Sequence, residues 1–311
     1  MQRLFTGLQP SGQLHIGNYF GALKQTVELL QGAEGLVMIA DYHALTSLKD
    51  PQQLRSNIAG VVRDYIAVGL DPKKAVLFQQ SSVPEHTELA WIFDCLVTVP
   101  FLMQAHAYKD KVAKGLEPSA GLFTYPMLMA ADILLYDTDI VPVGADQRQH
   151  VEYAREAAAK FNAAFGETFK EPREKILDAV AVVPGTDGAK MSKSYGNTIP
   201  LFGTKDEIRK AVMSIVTDSG GESPEHVYNI HRLFRGGDSL ANLYKENKGK
   251  YKALKDVLVE DIEALVAPMR ERRMNITDAD VKEILKDGAE KARALASRKM
   301  VDVRSRVGVS I

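Results

Sequence analysis

Cysteine is nearly missing from this 311-residue chain: Cys95 stands alone. One thiol closes no intramolecular disulfide and supplies no thiolate metal site. Its setting, Ala90-Trp91-Ile92-Phe93-Asp94-Cys95-Leu96-Val97, is apolar, so a buried and inert thiol is expected. An excess of one charge is missing too. The 39 Lys and Arg residues against 40 Asp and Glu leave a formal net charge of -1, so any nucleic-acid contact must come from a local patch. No apolar run is long enough to span a bilayer, and Met1-Gln2-Arg3-Leu4-Phe5-Thr6-Gly7 carries no secretory h-region. A cytoplasmic protein without membrane association is the expectation. Neither a G-x-x-x-x-G-K-[ST] loop nor a G-x-G-x-x-G fingerprint is found, which removes two common ways of holding phosphate. There is no internal repeat and no low-complexity segment.

What the chain has is ordinary globular material, 45% hydrophobic and 25% charged, enough for a sizeable core and a smaller second one. Its first two-thirds alternates strand and helix patterns. Arg3 to Thr6 reads as a short strand, followed by the loop Gly7-Leu8-Gln9-Pro10-Ser11-Gly12. Ile16, Phe20, Leu23, Val27 and Leu30 then recur at helical steps before Gly32. Leu36-Val37-Met38-Ile39-Ala40 is a continuous apolar run, as suits a parallel strand covered on both faces. Asp50 and Pro51 open a helix, with Gln53 completing a capping-box pattern and Leu54, Ile58, Val61, Tyr65 and Val68 on the buried face. Ala75 to Phe78, Ile140 to Val143 and Ala179 to Val183 are further strand candidates. Strands separated by helices imply crossovers and a parallel sheet, hence an α/β fold of Rossmann type.

After Pro200 the pattern becomes almost wholly helical. Thr204 to Glu207 is a capping box, Tyr251 to Arg273 a long amphipathic stretch, and Thr277-Asp278-Ala279-Asp280 opens a last helix reaching about Met300. The expected division is a catalytic domain over 1–200, an all-helical domain over 201–287, and a C-terminal helix and tail over 288–311 packing back on the first.

A nucleotide enzyme needs a place for phosphate. Strand, glycine-bearing loop and His15-Ile16-Gly17-Asn18 at a helix start provide backbone N–H groups and a favourable dipole for anionic oxygen. Gly17 lets a flat base or phosphate approach the backbone. His15 and Asn18, one turn apart, can donate to one ligand. Downstream, Gly185-Thr186-Asp187-Gly188-Ala189-Lys190-Met191-Ser192-Lys193-Ser194 sets two lysines and two serines after a glycine-rich segment. Such a loop can close over polyphosphate and stabilise charge as pyrophosphate leaves.

Together, H-I-G-N and K-M-S-K-S at the exit of a Rossmann pattern resemble the class I aminoacyl-tRNA synthetases. Gly7-Leu8-Gln9-Pro10-Ser11-Gly12-Gln13-Leu14-His15-Ile16-Gly17-Asn18-Tyr19 is similar to the opening of the bacterial tryptophanyl members. So are residues 119–136, Ser119 through Tyr136, and Asp139-Ile140-Val141-Pro142-Val143-Gly144-Ala145-Asp146-Gln147. Tyrosyl members usually end the first motif in H-I-G-H, and Asn18 departs from that. The likeness covers essentially the whole chain.

The indole ring offers one N–H donor and a wide apolar face. Asp132 stands in the apolar helix Met127-Leu128-Met129-Ala130-Ala131-Asp132-Ile133-Leu134-Leu135, where a carboxylate is costly without a partner. It therefore suits an indole acceptor, whose loss of a partner would reject phenylalanine strongly. The resemblance implies the same for Asp132, with Phe5, Gly7, Met129, Ile133, Val141 and Val143 around the ring; Val141 and Val143 read equally well as plain core. Tyr125 and Gln147 would hold the α-ammonium, with Gln9 and His43 nearby. For ATP the resemblance implies Gln9, Pro10, Ser11, Gly17, Asn18, Gly144, Ala145, Asp146, Val183 and the 190–194 loop, Lys190, Met191, Ser192, Lys193 and Ser194. His15 and Asn18 would meet the phosphates, Lys190 and Lys193 the leaving pyrophosphate, and Lys111 would lie near the phosphates or simply be a solvated lysine. No protein metal site is expected; Mg2+ would arrive with ATP.

The implied activity is a tryptophan–tRNA ligase that makes tryptophanyl-adenylate from L-tryptophan and ATP, then charges tRNA(Trp). A homodimer is implied as well. The tail cations Lys286, Lys291, Arg293, Arg298, Lys299, Arg304 and Arg306 suit either tRNA phosphate or an ordinary solvated helix. Three alternatives stay open: the same chemistry on tyrosine, a non-ligating adenylyltransferase, and a synthetase-like paralogue with a binding or regulatory role.

Overall fold

The computed structural model describes residues 2–144, 148–176, 183–217 and 224–310. Five parallel strands form one sheet: β1 (Arg3–Leu8), β2 (Glu34–Ile39), β3 (Ala75–Gln79), β4 (Ile140–Val143) and β5 (Arg173–Ile176), in the order β3-β2-β1-β4-β5. The Rossmann-type α/β expectation is met. The fifth strand differs. The apolar run expected as a strand, Ala179 to Val183, falls outside the described residues except for Val183. β5 is instead the polar edge segment Arg173-Glu174-Lys175-Ile176, where no apolar periodicity announces a strand.

The chain moves outward from β1 through β2 and β3, then returns to the other side of β1 with β4. The carboxyl ends of β1 and β4 therefore flank the reversal point, where open α/β sheets hold ligands.

Local signals explain most helix starts. The Asp50 side chain accepts the N–H groups of Gln52 at 2.8 Å and Gln53 at 3.1 Å, and the Pro51–Val68 helix follows. The expected reciprocal arm from Gln53 does not form; its amide donates to Asn57 Oδ1 at 2.7 Å. The Thr204–Glu207 box does form, with Thr204 N donating to Glu207 Oε2 at 2.7 Å. The helix over residues 16–30 contains a π-helical turn at Tyr19–Leu23, directly after the His15 to Asn18 motif.

Each sheet face carries its own core. On one side Ile16, Leu23, Val27, Leu30, Val61 and Tyr65 pack together with Ile208, Val212, Ile262 and Val266 from beyond residue 200. The sequence texture changes near Pro200, but the core does not. On the other side Phe5, Phe78, Phe93, Ile133 and Phe161 pack with Ala292, Ala296 and Met300.

The last helix, Asp278–Val307, runs unbroken through the expected 287/288 division. It crosses β3 so closely that a Cβ on Gly288 would lie 1.9 Å from the Leu77 carbonyl oxygen, which covers that edge of the sheet. Ser297 donates to Glu85 at 2.6 Å and Arg304 to Glu88 at 2.5 Å, so the C-terminal segment packs back on the sheet-bearing part.

Cys95 is exposed, contrary to expectation. It caps the end of the Glu85–Asp94 helix, whose inward face is Leu89, Ala90 and Phe93. Among the described residues no helix is long and apolar enough to cross a membrane.

Candidate active site

Asp132 is 1% exposed on the Ala120–Leu134 helix, beneath the carboxyl ends of the strands. Three side chains converge on it. His43 Nε2 lies 2.8 Å from Oδ2, and His86 Nδ1 lies 2.6 Å from Oδ1. Gln80 Nε2 donates to both oxygens, at 2.8 and 3.0 Å. Burial disfavours the ionised carboxyl, but the hydrogen bond from His43 and the charge and hydrogen bond of His86 outweigh it and bring Asp132 down to about 2. It is an ionised, acceptor-only group.

Elements at the ends of β2 and β3 supply these donors. His43 sits on the short Asp41–Ala44 helix after β2, and Gln80 follows β3 directly. Asp41 accepts from Gln79 Nε2 at 2.7 Å and from Ser81 N at 3.0 Å, tying the two strand ends together. Gln80 Oε1 accepts from Tyr42 N at 3.1 Å, which turns its NH2 toward Asp132. His86 Nε2 lies 2.8 Å from the Tyr136 hydroxyl.

Gln80, His86 and Tyr136 were not anticipated from sequence. The available signal was a run of polar residues, Gln79-Gln80-Ser81-Ser82, immediately after an apolar strand. The expectation that Asp132 would be stranded without a ligand N–H is also corrected, because these donors are present without one.

The residues expected as apolar walls share one core cluster on this face of the sheet. Phe5, Ile133 and Val141 lie in one core cluster, with Tyr125, Met129 and Val143 at its margin. Phe5 stacks on Tyr136 at 5.8 Å, and Gly7 continues β1 opposite Met38. The Tyr125 ring stands edge-on to His43, and its hydroxyl lies 3.0 Å from His150 Nε2. Burial, with Tyr153 second, pushes the Tyr125 phenol up to about 12, so it keeps its proton.

The second group of residues lies across β1. His15 is buried at the first turn of its helix, and its backbone N–H donates to Asn18 Oδ1 at 3.0 Å. Burial and then the Lys193 charge lower the His15 imidazole to about 4, so it is neutral at pH 7. Its Nδ1 is buried without a hydrogen-bond partner. The space beside Gly17 is filled by the His15 ring and by Met191: an added Cβ would lie 2.8 Å from His15 Nδ1 and 3.3 Å from Met191 Cβ. A side chain at Gly17 would crowd the His15 ring and, less closely, Met191 of the second motif.

Two backbone bonds stitch these motifs together, Ile16 N to Ile199 O at 3.0 Å and Leu201 N to Leu14 O at 2.9 Å. The lysine-bearing segment is a tight hairpin, with Met191 N bonded to Val183 O at 2.9 Å and Gly188 in the left-handed region at φ 83°. Its organiser is Asn197, 2% exposed and also unanticipated. Asn197 Nδ2 donates to Asp187 at 2.7 Å and to Lys190 O at 3.1 Å, and its Oδ1 accepts from Ser192 N at 2.8 Å. A side chain at Gly185 would collide with it.

Lys193 reaches back to the first loop, donating to Ser11 O at 3.0 Å, while the Lys190 side chain is exposed. Burial lowers the Lys193 ammonium below its usual range, and the Asp64 charge opposes that. Ser192 and Ser194 hydroxyls lie 2.9 Å apart. Gln9, Pro10 and Ser11 line an adjoining cleft of about 230 Å³ with Ala44, Ser47, Leu48 and Asn57.

Gly144 follows β4 directly, whereas Ala145, Asp146 and Gln147 lie outside the described residues. Lys111 lies on the His106–Ala113 helix, and among the described residues no hydrogen bond links its side chain to either group.

The family model described as tRNA synthetases class I (W and Y) matches residues 1–285. A tryptophan–tRNA ligase of Fusobacterium nucleatum is 48% identical, covering 99% of this chain and 98% of that protein. One from Rhodopirellula baltica is 47% identical, covering 99% of both. The solved tryptophanyl-tRNA synthetase of Campylobacter jejuni, complexed with ADP and tryptophan, superposes with a TM-score of 0.93 at 44% identity, covering 99% of this chain and 100% of that one.

Proposed function

The chain belongs to the class I tRNA synthetases of the tryptophan and tyrosine group, and on that premise we propose that it is a tryptophan–tRNA ligase using ATP. The observation that carries tryptophan is the full-length likeness to tryptophan–tRNA ligases, 48% identical over 99% of the chain. The buried carboxylate among apolar walls accords with a ligand that brings one N–H on a wide apolar face.

In the first step the tryptophan carboxylate attacks the α-phosphorus of ATP. The bond to the bridging oxygen breaks, pyrophosphate leaves, and the adenylate remains. The nucleophile is already an anion, so no side chain has to remove a proton. What the chain supplies is position and charge. His15 offers a neutral N–H to a phosphate oxygen, and Asn18 lies one turn further on. Lys190 and Lys193 stabilise the departing pyrophosphate, with Ser192 and Ser194 beside them and Lys111 as a further candidate.

Gln9, Pro10, Ser11, Gly17, Gly144, Val183 and Met191 would border the nucleotide, together with Ala145 and Asp146. Phe5, Gly7, Met129, Ile133, Val141 and Val143 would enclose the indole over Asp132 and His43, and Tyr125 and Gln147 would take the α-ammonium. Mg2+ would arrive on the ATP phosphates, held mainly by phosphate oxygens and water. In the second step a terminal ribose hydroxyl of tRNA(Trp) attacks the adenylate carbonyl and AMP leaves.

The helical region over 201–287 is the proposed reader of the anticodon. Of the tail cations, Lys299, Arg304 and Arg306 pair with Asp137, Glu88 and Asp302, while Lys286, Lys291, Arg293 and Arg298 are exposed. The latter four are the better candidates for tRNA phosphate.

A homodimer is supported by Trp91, Val99, Met103 and Leu116, which are 70, 60, 45 and 55% exposed. A site of assembly would cover such apolar surface. Charging of a tRNA(Trp) transcript with labelled tryptophan is the direct test. Adenylate formation without any charging would place the chain among synthetase-like paralogues.

A further inference from the structure

We propose that Tyr136, His86 and Gln80 are positioning residues that hold Asp132 as an ionised acceptor, and thereby set how strongly the site demands a ring N–H. This rests on the reading of Asp132 as the indole acceptor. Gln80 and His86 face the Asp132 carboxylate and Tyr136 faces His86, so in this proposal all three act through Asp132.

The protons can be accounted for one group at a time. An ionised Asp132 accepts every contact it makes. Gln80 is oriented by Tyr42 N on its Oε1, so its amide nitrogen gives an N–H shared between the two carboxylate oxygens. His43 must present Nε2–H, and His86 Nδ1, 2.6 Å from Oδ1 without hydrogen-bond geometry, faces the carboxylate and carries its proton toward it. If His86 carries a single ring proton, on Nδ1, its Nε2 is bare, and the atom facing that nitrogen at 2.8 Å is the Tyr136 hydroxyl. Burial, then the charges of Asp132 and Glu85, raise the Tyr136 phenol far above its usual range. Tyr136 therefore keeps a proton to donate, and by donating it fixes which tautomer His86 adopts.

A carboxylate has roughly four lone-pair directions. The Gln80 N–H bridges one on each oxygen, His43 takes the second on Oδ2, and His86 Nδ1 stands 2.6 Å from Oδ1, so the acceptor is nearly filled before a ligand arrives. Because these donors stay in place, a ligand without N–H forfeits a single charge-assisted bond and does not strand a buried charge. The preference for N–H should then be on the order of tenfold to a hundredfold.

The test compares kcat/KM in ATP–pyrophosphate exchange for L-tryptophan and for L-3-(3-benzothienyl)alanine, which has sulfur in place of the ring N–H. Tyr136→Phe removes only the hydroxyl. It should lower the tryptophan-to-analogue ratio about fivefold, through KM for tryptophan, with kcat for the analogue unchanged. Gln80→Met, of similar size without the amide, should lower the ratio similarly. Equal losses for both amino acids in these variants, leaving the ratio intact, would mean that the three residues are only structural and would overturn the proposal. Asp132→Asn separates the two readings. If it leaves the ratio unchanged, the indole assignment itself fails; if it collapses the ratio while Tyr136→Phe and Gln80→Met do not, only the positioning proposal fails.

Discussion

Around Asp132 the named polar groups are buried and engaged with one another, whereas around Lys190 and Lys193 charged side chains stand at the surface. The first region is fixed by side-chain hydrogen bonds reaching across β2, β3 and the Ala120–Leu134 helix. The second is fixed by backbone: a hairpin closed on Val183, and the 14–16 segment paired with 199–201. A pocket that recognises one small donor gains from rigidity. A site that meets a highly charged, departing group needs cations with accessible heads. On the proposed function, selection belongs to the buried region and phosphate chemistry to the exposed one.

Substitutions can break that division or sharpen it. Lys190→Ala should have the largest effect, lowering the exchange rate roughly 10²- to 10³-fold with tryptophan affinity unchanged in equilibrium dialysis. A matching loss of tryptophan affinity would show that the two regions are not separable. Next, Asp132→Asn should lower kcat/KM for tryptophan by roughly tenfold to a hundredfold, with KM for ATP unmoved in steady-state exchange. If kcat with ATP fell instead, Asp132 would belong to the chemistry.

Asn197→Ala should be smaller. It removes the hub of the hairpin, costing about 1–3 kcal/mol of stability for the partners left unsatisfied and slowing exchange without altering tryptophan binding. Urea unfolding and dialysis on the same preparation would report both, and weakened tryptophan binding would contradict the division.

The smallest effect concerns pH. The His15 imidazole lies near 4 in the fold against an ordinary 6.5, so the folded chain binds fewer protons between those values. Its contribution to stability is complete above about 6.5 and is lost as pH falls toward 4. His15→Gln should flatten the difference in unfolding free energy between pH 7 and pH 5. An unchanged difference would mean that His15 titrates normally.

These regions also differed in how plainly the sequence announced them. H-I-G-N and K-M-S-K-S are contiguous, so the nucleotide side was legible as motifs, although nothing local told that Gly17 abuts Met191 or that Asn197 organises the hairpin. The Asp132 carboxylate was legible because a charge in an apolar helix calls for partners. The partners themselves were not: Gln80 and His86 come from a separate stretch of chain, and only the pairing of β2 with β3 brings them under it. The sheet was readable where its strands are apolar, and unreadable at β5, an edge strand of three polar residues and one isoleucine. Cys95 misled because its flanks are apolar while its place at a helix end turns it outward. That a single helix spans residues 287 and 288 could not be read from the charge pattern alone.

Amino-acid-dependent ATP–pyrophosphate exchange across all twenty amino acids tests the central claim most directly. Exchange with tryptophan alone, abolished by Lys190→Ala, is the predicted result. Exchange supported by tyrosine in place of tryptophan, or by none of the twenty, would contradict it.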